Sequence, residues 1–89
     1  MLRLGVTFSG RVQGVGFRAT ARSIASGYAV SGWVRNEPDG TVAMQVQGKE
    51  SEVHAFLEAL SARLARNITG VDRHDLPTVP DEVGFEIRR

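Results

Sequence analysis

A glycine-rich segment near the start of the chain, GRVQGVGFR at residues 10–18, holds the first residues that could do chemistry. Its three glycines allow sharp bends that expose successive backbone amides just before a predicted helix. A helix N-terminus carries about half a positive charge and several unpaired amide hydrogens, so phosphate and carboxylate groups bind there. Arg18 lies in the first predicted turn, where a cation opposes the helix dipole. The segment therefore predicts an anion bound between the amides and Arg18.

A plain structural role for the same segment is the alternative. Gly14 and Gly16 could merely shape the connection between a strand and a helix, with Arg18 in solvent. The segment matches neither the P-loop pattern GxxxxGK[ST] nor the dinucleotide-binding pattern GxGxxG. For a glycine-rich loop alone this alternative is the more common outcome, so the anion site needs support from a second segment.

The second segment is GWVRNEPDGTV at residues 32–42. An asparagine after a strand is commonly a turn residue, but Glu37–Gly40 already has the composition of a type I turn. The carboxamide of Asn36 can donate and accept hydrogen bonds and is left free, and the Thr41 hydroxyl follows where the next strand begins. We expect Arg18, Asn36 and Thr41 to converge on one site.

The elements that position these residues are predicted from the spacing of apolar side chains. Alternation over residues 2–10 is typical of a half-buried strand, and apolar residues recur at helical spacing in two later segments. Gly27 is predicted to end the first helix in the left-handed conformation, and Ser51 to cap the second. The predicted strands are 2–10, 30–35, 41–47, 71–75 and 85–89, and the predicted helices are 17–26 and about 51–66.

The order β-α-β-β-α-β predicts an α+β sandwich of the ferredoxin-like class. Two helices would cover one face of an antiparallel sheet, with an extra short strand at an edge. In a right-handed crossover the first two strands run parallel and finish at the same edge, which brings Gly10–Phe17 near Asn36. A length of 89 residues fits a single domain spanning residues 1–89.

Composition excludes several classes of function. A net charge of +1 gives no whole-molecule field for nucleic acid or an anionic membrane, so any anion site must be local. Without cysteine there is no disulfide, thiol nucleophile or cysteine-ligated zinc. No apolar run approaches the roughly 18 residues that span a bilayer, and the N-terminus carries no signal-peptide pattern. We expect a cytoplasmic monomer with neither nucleic-acid nor membrane partners.

Together, GRVQGVGFR and GWVRNEPDGTVAMQVQG resemble the two signature segments of the acylphosphatase family, in matching order and separation. The resemblance implies a ferredoxin-like fold and the hydrolysis of acyl phosphates to a carboxylate and inorganic phosphate, without metal or cofactor. It implies that Arg18 binds phosphate, that Asn36 positions the attacking water and that Thr41 supports it. The implied phosphate-binding residues are Gln13, Gly14, Val15, Gly16, Phe17 and Arg18.

Two residues depart from the family pattern, and neither belongs to the predicted site. Phe8 stands where most members have an aliphatic residue, which concerns the packing of the first strand. Ala29 stands where most have a glycine after the first helix, which leaves open how that helix ends and gives Gly27 the turn.

The implied site has few groups because an acyl phosphate needs few. Its leaving group is a carboxylate, which is stable as an anion near neutral pH and requires little help from a general acid. Catalysis of phosphoryl transfer is mostly alignment and electrostatic stabilisation, which amides, a guanidinium and a carboxamide can supply.

Two alternatives to a stand-alone enzyme remain open. One is a non-catalytic anion-binding or protein-interaction domain on the same fold. The other is kinship with the acylphosphatase-like domain of hydrogenase-maturation carbamoyltransferases. The second is disfavoured because the sequence reaches only Arg89, without their further domains.

The remaining chemistry-bearing residues are expected to be structural or solvated. His54 and His74 lie far apart without metal-ligand spacing, so we expect no metal site. Trp33 and Tyr28 are expected in the core rather than stacked on bases, and the third strand, TVAMQVQ, has no aromatic residue to bind RNA. A solvated face or a weak partner surface is expected for the basic cluster Arg63, Arg66, Arg88 and Arg89.

Overall fold

Five strands and two helices follow one another in the predicted β-α-β-β-α-β order, with a short fifth strand at the end. The structure, a computed structural model, describes every residue from Met1 to Arg89. The predicted ferredoxin-like α+β class is confirmed. The strands are β1 (Leu2–Gly10), β2 (Val30–Asn36), β3 (Val42–Gly48), β4 (Ile68–Leu76) and β5 (Phe85–Arg88), and the helices are α1 (Phe17–Ala25) and α2 (Glu50–Arg63).

The five strands form one sheet in the order β4-β1-β3-β2-β5. Because β3 pairs antiparallel with both β1 and β2, these two strands run in the same direction and finish at one end of the sheet. Gly10 and Asn36 are their last residues, and they therefore lie at that shared end. The extra edge strand, β5, pairs parallel with β2, so the sheet is mixed rather than wholly antiparallel.

The hydrophobic core lies between one face of the sheet and the two helices. In β1 the even-numbered residues Leu4, Val6 and Phe8 are buried, as the period of a strand predicts. The rings of Phe8 and Phe17 tilt against each other with their centroids 4.9 Å apart, so the aromatic residue of β1 packs on the first residue of α1. The buried residues of α2 are Val53, Phe56, Leu57 and Leu60.

The ends of α2 differ from the prediction. Lys49 occupies the N-cap and Glu50 starts the helix, so Ser51 lies inside the first turn and does not cap it. Glu50 and Glu52 place negative charge in that turn, which stabilises the N-terminus without a capping side chain. The helix ends at Arg63, slightly earlier than predicted. Neither helix combines the length and the apolar content that a membrane-spanning helix requires.

The way in which α1 ends also differs from the prediction. Ser26 is the C-cap and Gly27 is not left-handed, so the prediction that a left-handed Gly27 ends the helix is wrong. The Gly27 amide donates instead to the Ile24 carbonyl at 3.0 Å, which tightens the last turn. Ala29 has an ordinary φ angle, and its amide donates to Glu52 Oε1 at 2.8 Å. The chain therefore leaves α1 without needing a glycine at position 29.

The face of the sheet opposite the helices is partly covered by the connection between β4 and β5, residues 77–84. Arg3 is buried in that face and donates to Glu82 Oε1 at 2.7 Å. The Gln47 side chain donates to the Val79 carbonyl at 2.8 Å and accepts from the Val79 amide at 2.6 Å. These contacts hold the connection, named here the β4–β5 strap, across the sheet.

Candidate active site

The loop that joins β1 to α1 is fixed at both ends. Val12 and Phe17 are each 1% exposed and belong to the core, whereas residues 14–16 between them are exposed. The Arg11 amide donates to the Asn67 carbonyl at 2.8 Å, which ties the start of the loop to the chain that enters β4. The glycines therefore reach solvent from a loop whose position is set by buried contacts.

Gln13 joins this loop to the turn between β2 and β3. Its side-chain Nε2 donates to the Glu37 carbonyl at 2.7 Å and to the Thr41 carbonyl at 2.8 Å. The turn itself closes through the Gly40 amide, which donates to the Glu37 carbonyl at 3.1 Å. Gln13 thus holds the loop beside the end of β2, where Asn36 lies.

Gly14 and Gly16 give the loop its shape. Their φ angles are 75° and 76°, in the left-handed region that residues with a side chain rarely adopt. Gly16 is the N-cap of α1, and its carbonyl accepts from the Thr20 amide at 2.9 Å. The backbone amides of residues 14–18 donate to no acceptor within the protein. These amides and the positive end of α1 can together bind an anion.

A cavity of about 350 Å³ opens beside these amides. Arg18, from the first turn of α1, and Asn36, from the end of β2, both line it. Neither side chain is engaged in an ion pair, and neither leaves a buried polar atom without a partner. The structure therefore brings the two predicted catalytic side chains to one cavity with their polar groups available to a ligand.

The other predicted phosphate-binding residues divide into two groups. Gly14, Gly16 and Phe17 line the cavity with Arg18. Val15 is 39% exposed in the same loop but does not line the cavity, and Gln13 is directed to the β2–β3 turn. Part of the predicted segment therefore lines the cavity, and Gln13 holds the loop beside the β2–β3 turn.

Thr41 is engaged in the turn rather than in the cavity. Its hydroxyl donates to Asp39 Oδ1 at 2.6 Å, and its amide donates to the same oxygen at 3.0 Å. These two hydrogen bonds lower the pKa of Asp39. The supporting role of Thr41 stays a prediction, and any such role acts through the turn that follows Asn36.

Two further residues of the cavity, Ile87 in β5 and Arg89 directly after it, were not predicted from the sequence. β5 pairs parallel with β2 as far as Arg88 opposite Arg35, and the two residues that follow this last pair, Arg89 and Asn36, both line the cavity. The alternation in FEIRR indicates that Ile87 and Arg89 share a face, but only the pairing with β2 shows that this face borders the cavity.

The predicted basic cluster is not one surface. Arg63 and Arg66 lie at the end of α2, whereas the Arg88 guanidinium lies 5.0 Å from the centroid of the Trp33 ring. Arg89, the next residue, lines the cavity. The cluster is divided because successive residues of a strand point to opposite faces of the sheet.

The chemistry of the cavity is set by two cations and no acidic, imidazole or nucleophilic side chain. His54 is exposed on α2, 3.8 Å from Glu50, and His74 is exposed on β4. No three His, Cys, Asp or Glu side chains come together as possible metal ligands. The cavity can therefore hold an anion and a polar ligand, and it offers no protein group that transfers a proton.

Comparison with known proteins gives one consistent match. The sequence matches the acylphosphatase family over residues 4–87. It is 42% identical over 89 residues to an acylphosphatase from Thiobacillus denitrificans (strain ATCC 25259 / T1), across 99% of this chain and 98% of that protein. The crystal structure of acylphosphatase from Bacillus subtilis is similar with a TM-score of 0.88 at 29% identity, over 100% of both chains.

A longer protein contains a similar fold. The structure of T.kodakarensis HypF matches with a TM-score of 0.86 at 26% identity, over 100% of this chain but 12% of that one. Of the proteins named here, the two acylphosphatases match over nearly their whole length, whereas HypF matches over a small part of its own.

Proposed function

The chain belongs to the acylphosphatase family of enzymes, and on that premise we propose that it hydrolyses acyl phosphates at the cavity between the glycine-rich loop and the end of β2. The reaction breaks the bond between phosphorus and the carboxylate oxygen and adds water to phosphorus. The products are a carboxylate and inorganic phosphate.

We assign the binding of the phosphoryl group to hydrogen-bond donors whose positions are set before the substrate binds. The unpaired amides of residues 14–18 and the positive end of α1 attract an anion. The Arg18 guanidinium can grip two phosphate oxygens in a fixed geometry, whereas an ammonium acts as a point charge. In a loose transition state negative charge spreads over the equatorial oxygens, and fixed donors stabilise it without reorganisation.

One observation carries the choice of substrate: no side chain that lines the cavity can donate or accept a proton. Arginine does not lose its proton in proteins, and a carboxamide does not titrate. A phosphate monoester, whose alkoxide or phenoxide leaving group is far more basic than a carboxylate, depends on a general acid, whereas a carboxylate leaves as a stable anion near neutral pH. The cavity therefore suits an acyl phosphate better than a monoester.

We assign to Asn36 the positioning of the attacking water. Its carboxamide can hold a water molecule by hydrogen bonds without any change of charge. Alignment of that water with phosphorus contributes several kcal/mol to catalysis, and the proton of the water can pass to a phosphoryl oxygen of the substrate. Thr41 supports Asn36 indirectly, because its hydrogen bonds with Asp39 close the turn that follows.

The reaction is proposed to need no metal ion. Metal ions in other phosphoryl-transfer sites neutralise charge on the transferred group. Here the amides of residues 14–18 and Arg18 supply that positive potential, and no group of carboxylates or histidines is arranged to hold a metal.

Hydrolysis of benzoyl phosphate tests the proposal, with phenyl phosphate as the monoester control and EDTA as the chelator. We expect benzoyl phosphate to be hydrolysed at the same rate with and without EDTA, and phenyl phosphate to be hydrolysed far more slowly. Loss of activity in EDTA would contradict metal independence. Binding of inorganic phosphate without turnover of any acyl phosphate would favour a non-catalytic anion-binding domain instead.

A further inference from the structure

We propose that Arg89 is a second phosphoryl-binding arginine, which acts with Arg18 to bind the doubly charged form of the phosphoryl group. This inference rests on the proposed function, because it names a further contact with the same substrate. Its starting point is the end of β5, where Ile87 and the residue that follows the strand, Arg89, line the cavity that the loop and β2 form.

The pairing of the strands sets the position of Arg89. β5 runs parallel to β2 and its last pair is Arg88 with Arg35, so Arg89 and Asn36 each follow that pair, and both line the cavity. α1, which carries Arg18, packs against both of these strands. A ligand between the helix and the strand ends is therefore reached by Arg18 from one side and by Arg89 from the other.

The charge of Arg89 is available to a ligand. Neighbouring arginines are already paired, since Arg88 lies 2.8 Å from Glu86 and Arg35 lies 3.2 Å from Glu37. Arg89 takes part in no ion pair, and no carboxylate side chain lines the cavity. An anion that enters the cavity therefore meets two guanidinium groups without a competing negative side chain.

β5 is anchored although Arg89 itself is exposed. The Phe85 ring packs on the Phe56 ring with the centroids 5.6 Å apart, and Ile87 packs against the core. The Gly32 amide also donates to the Gly84 carbonyl at 3.0 Å, just before the strand begins. These contacts hold the backbone beneath Arg89 in a fixed position relative to Asn36.

Arg89 and Asn36 line the same part of the cavity, and this indicates which part of the substrate Arg89 contacts. In an in-line displacement the attacking water and the leaving carboxylate lie on opposite sides of phosphorus. Because Asn36 is assigned the water, its neighbour Arg89 lies near the equatorial phosphoryl oxygens rather than near the acyl group. A phosphoryl group carries close to two negative charges near neutral pH, which two guanidinium groups balance.

The test is the binding of inorganic phosphate to Arg89→Gln and Arg88→Gln, measured by isothermal titration calorimetry below and above the second ionisation of phosphate. Both variants lose one positive charge at adjacent positions, but Arg88 lies against Trp33 on the opposite face. We expect Arg89→Gln to bind phosphate roughly tenfold more weakly than wild type and to lose most of the preference for the dianion. Arg88→Gln should stay within about twofold of wild type, and Arg89→Lys should recover part of the loss.

Equal phosphate affinity of Arg89→Gln and Arg88→Gln would overturn the proposal. Normal phosphate binding by Arg89→Gln, with weaker binding of succinyl phosphate but not of acetyl phosphate, would also overturn it, because Arg89 would then contact the acyl group. Phosphate binding is measured without turnover, so a wild-type protein that hydrolyses no acyl phosphate would reject the proposed function separately. Thermal unfolding of each variant verifies that the fold is retained.

Discussion

Arg18 is expected to act through the shape of its side chain as well as its charge. Arg18→Lys keeps the positive charge but replaces a planar group with two parallel donors by a single ammonium. We expect kcat/KM for benzoyl phosphate to fall roughly a hundredfold, since one preorganised donor contributes about that much. Arg22→Lys is the matched control, because Arg22 is an exposed residue of the same helix that does not line the cavity. Near wild-type kcat/KM in the Arg18 variant would contradict a two-oxygen grip.

Asn36 is expected to affect turnover more than binding. In Asn36→Ala the water loses its alignment, which matters chiefly in the transition state, so we expect kcat to fall roughly a hundredfold with little change in KM. Asn67→Ala removes another half-buried carboxamide, one that does not line the cavity, and should leave both constants unchanged. If Asn36→Ala instead raised KM at constant kcat, Asn36 would be a substrate-binding residue and not a water-positioning one.

At the scale of elements, the loop between β1 and α1 depends on backbone conformation rather than on space. A Cβ atom added to Gly16 would meet nothing within 4 Å, yet the φ angle of 76° disfavours any side chain. We expect Gly16→Ala to cost about 1 kcal/mol of unfolding free energy and to lower kcat/KM, because the loop amides shift as the strain relaxes.

Gly84→Ala supplies the control for this variant. Gly84 has a φ angle of 79° and equally open surroundings, but it lies in the β4–β5 strap. Its substitution should lower the urea midpoint of unfolding by a similar amount but lower kcat/KM less than Gly16→Ala does, because the amides of residues 14–18 stay in place. A similar loss of stability in both variants, with full activity in both, would show that the loop conformation does not matter for catalysis.

How far the site could be predicted from the sequence depends on how local each contact is. Arg18 and the loop glycines lie in one segment, and the strand periods together with the right-handed crossover rule place Asn36 at the adjoining strand end. Arg89 was expected on a solvated face or a weak partner surface. Its place at the cavity depends on the pairing of β5 with β2, which no local pattern encodes. Thr41 was expected at the site, but its hydroxyl donates a hydrogen bond to the nearby Asp39 carboxylate.

The ends of the helices were less predictable than their buried faces. The apolar spacing correctly predicted a helix with one apolar face over most of α2, whereas Ser51 was a plausible cap that the structure does not use. Capping is a choice among neighbouring residues of similar energy, and the charges of Glu50 and Glu52 stabilise an earlier start. The burial of an apolar face involves much larger energies, so its pattern is the more reliable guide.

For the molecule as a whole, a buried polar network connects the open face of the sheet to the β4–β5 strap, and so to the edge strand β5 that Arg89 follows. Arg3 is 3% exposed, and its guanidinium donates to both carboxylate oxygens of Glu82, at 2.7 Å and 3.3 Å. The Ser31 hydroxyl also donates to Glu82, at 2.9 Å. Burial raises the pKa of Glu82, but the hydrogen bonds from Arg3 and Ser31 and the nearby positive charges outweigh it and leave that pKa below the ordinary 4.5.

This network predicts how stability depends on pH. Because the pKa of Glu82 is lower in the folded than in the unfolded chain, ionised Glu82 stabilises the fold above about pH 4.5, and that stabilisation is lost as the pH falls through the folded value. The unfolding free energy of the wild type should therefore fall more steeply below pH 4.5 than that of Glu82→Gln. Asp39, whose pKa is also lowered, leaves a residual slope in both proteins.

At neutral pH, Glu82→Gln should cost about 2 kcal/mol, because it leaves the buried guanidinium of Arg3 without its counter-charge. Glu86→Gln breaks the exposed ion pair with Arg88 and should change the unfolding free energy by less than about 0.5 kcal/mol. Urea unfolding of the three proteins across a pH series measures both effects. Parallel pH curves for the wild type and Glu82→Gln would show that the Arg3–Glu82 pair does not stabilise the fold. A steeper wild-type curve, with weaker phosphate binding in Glu82→Gln, would link the strap to the position of Arg89.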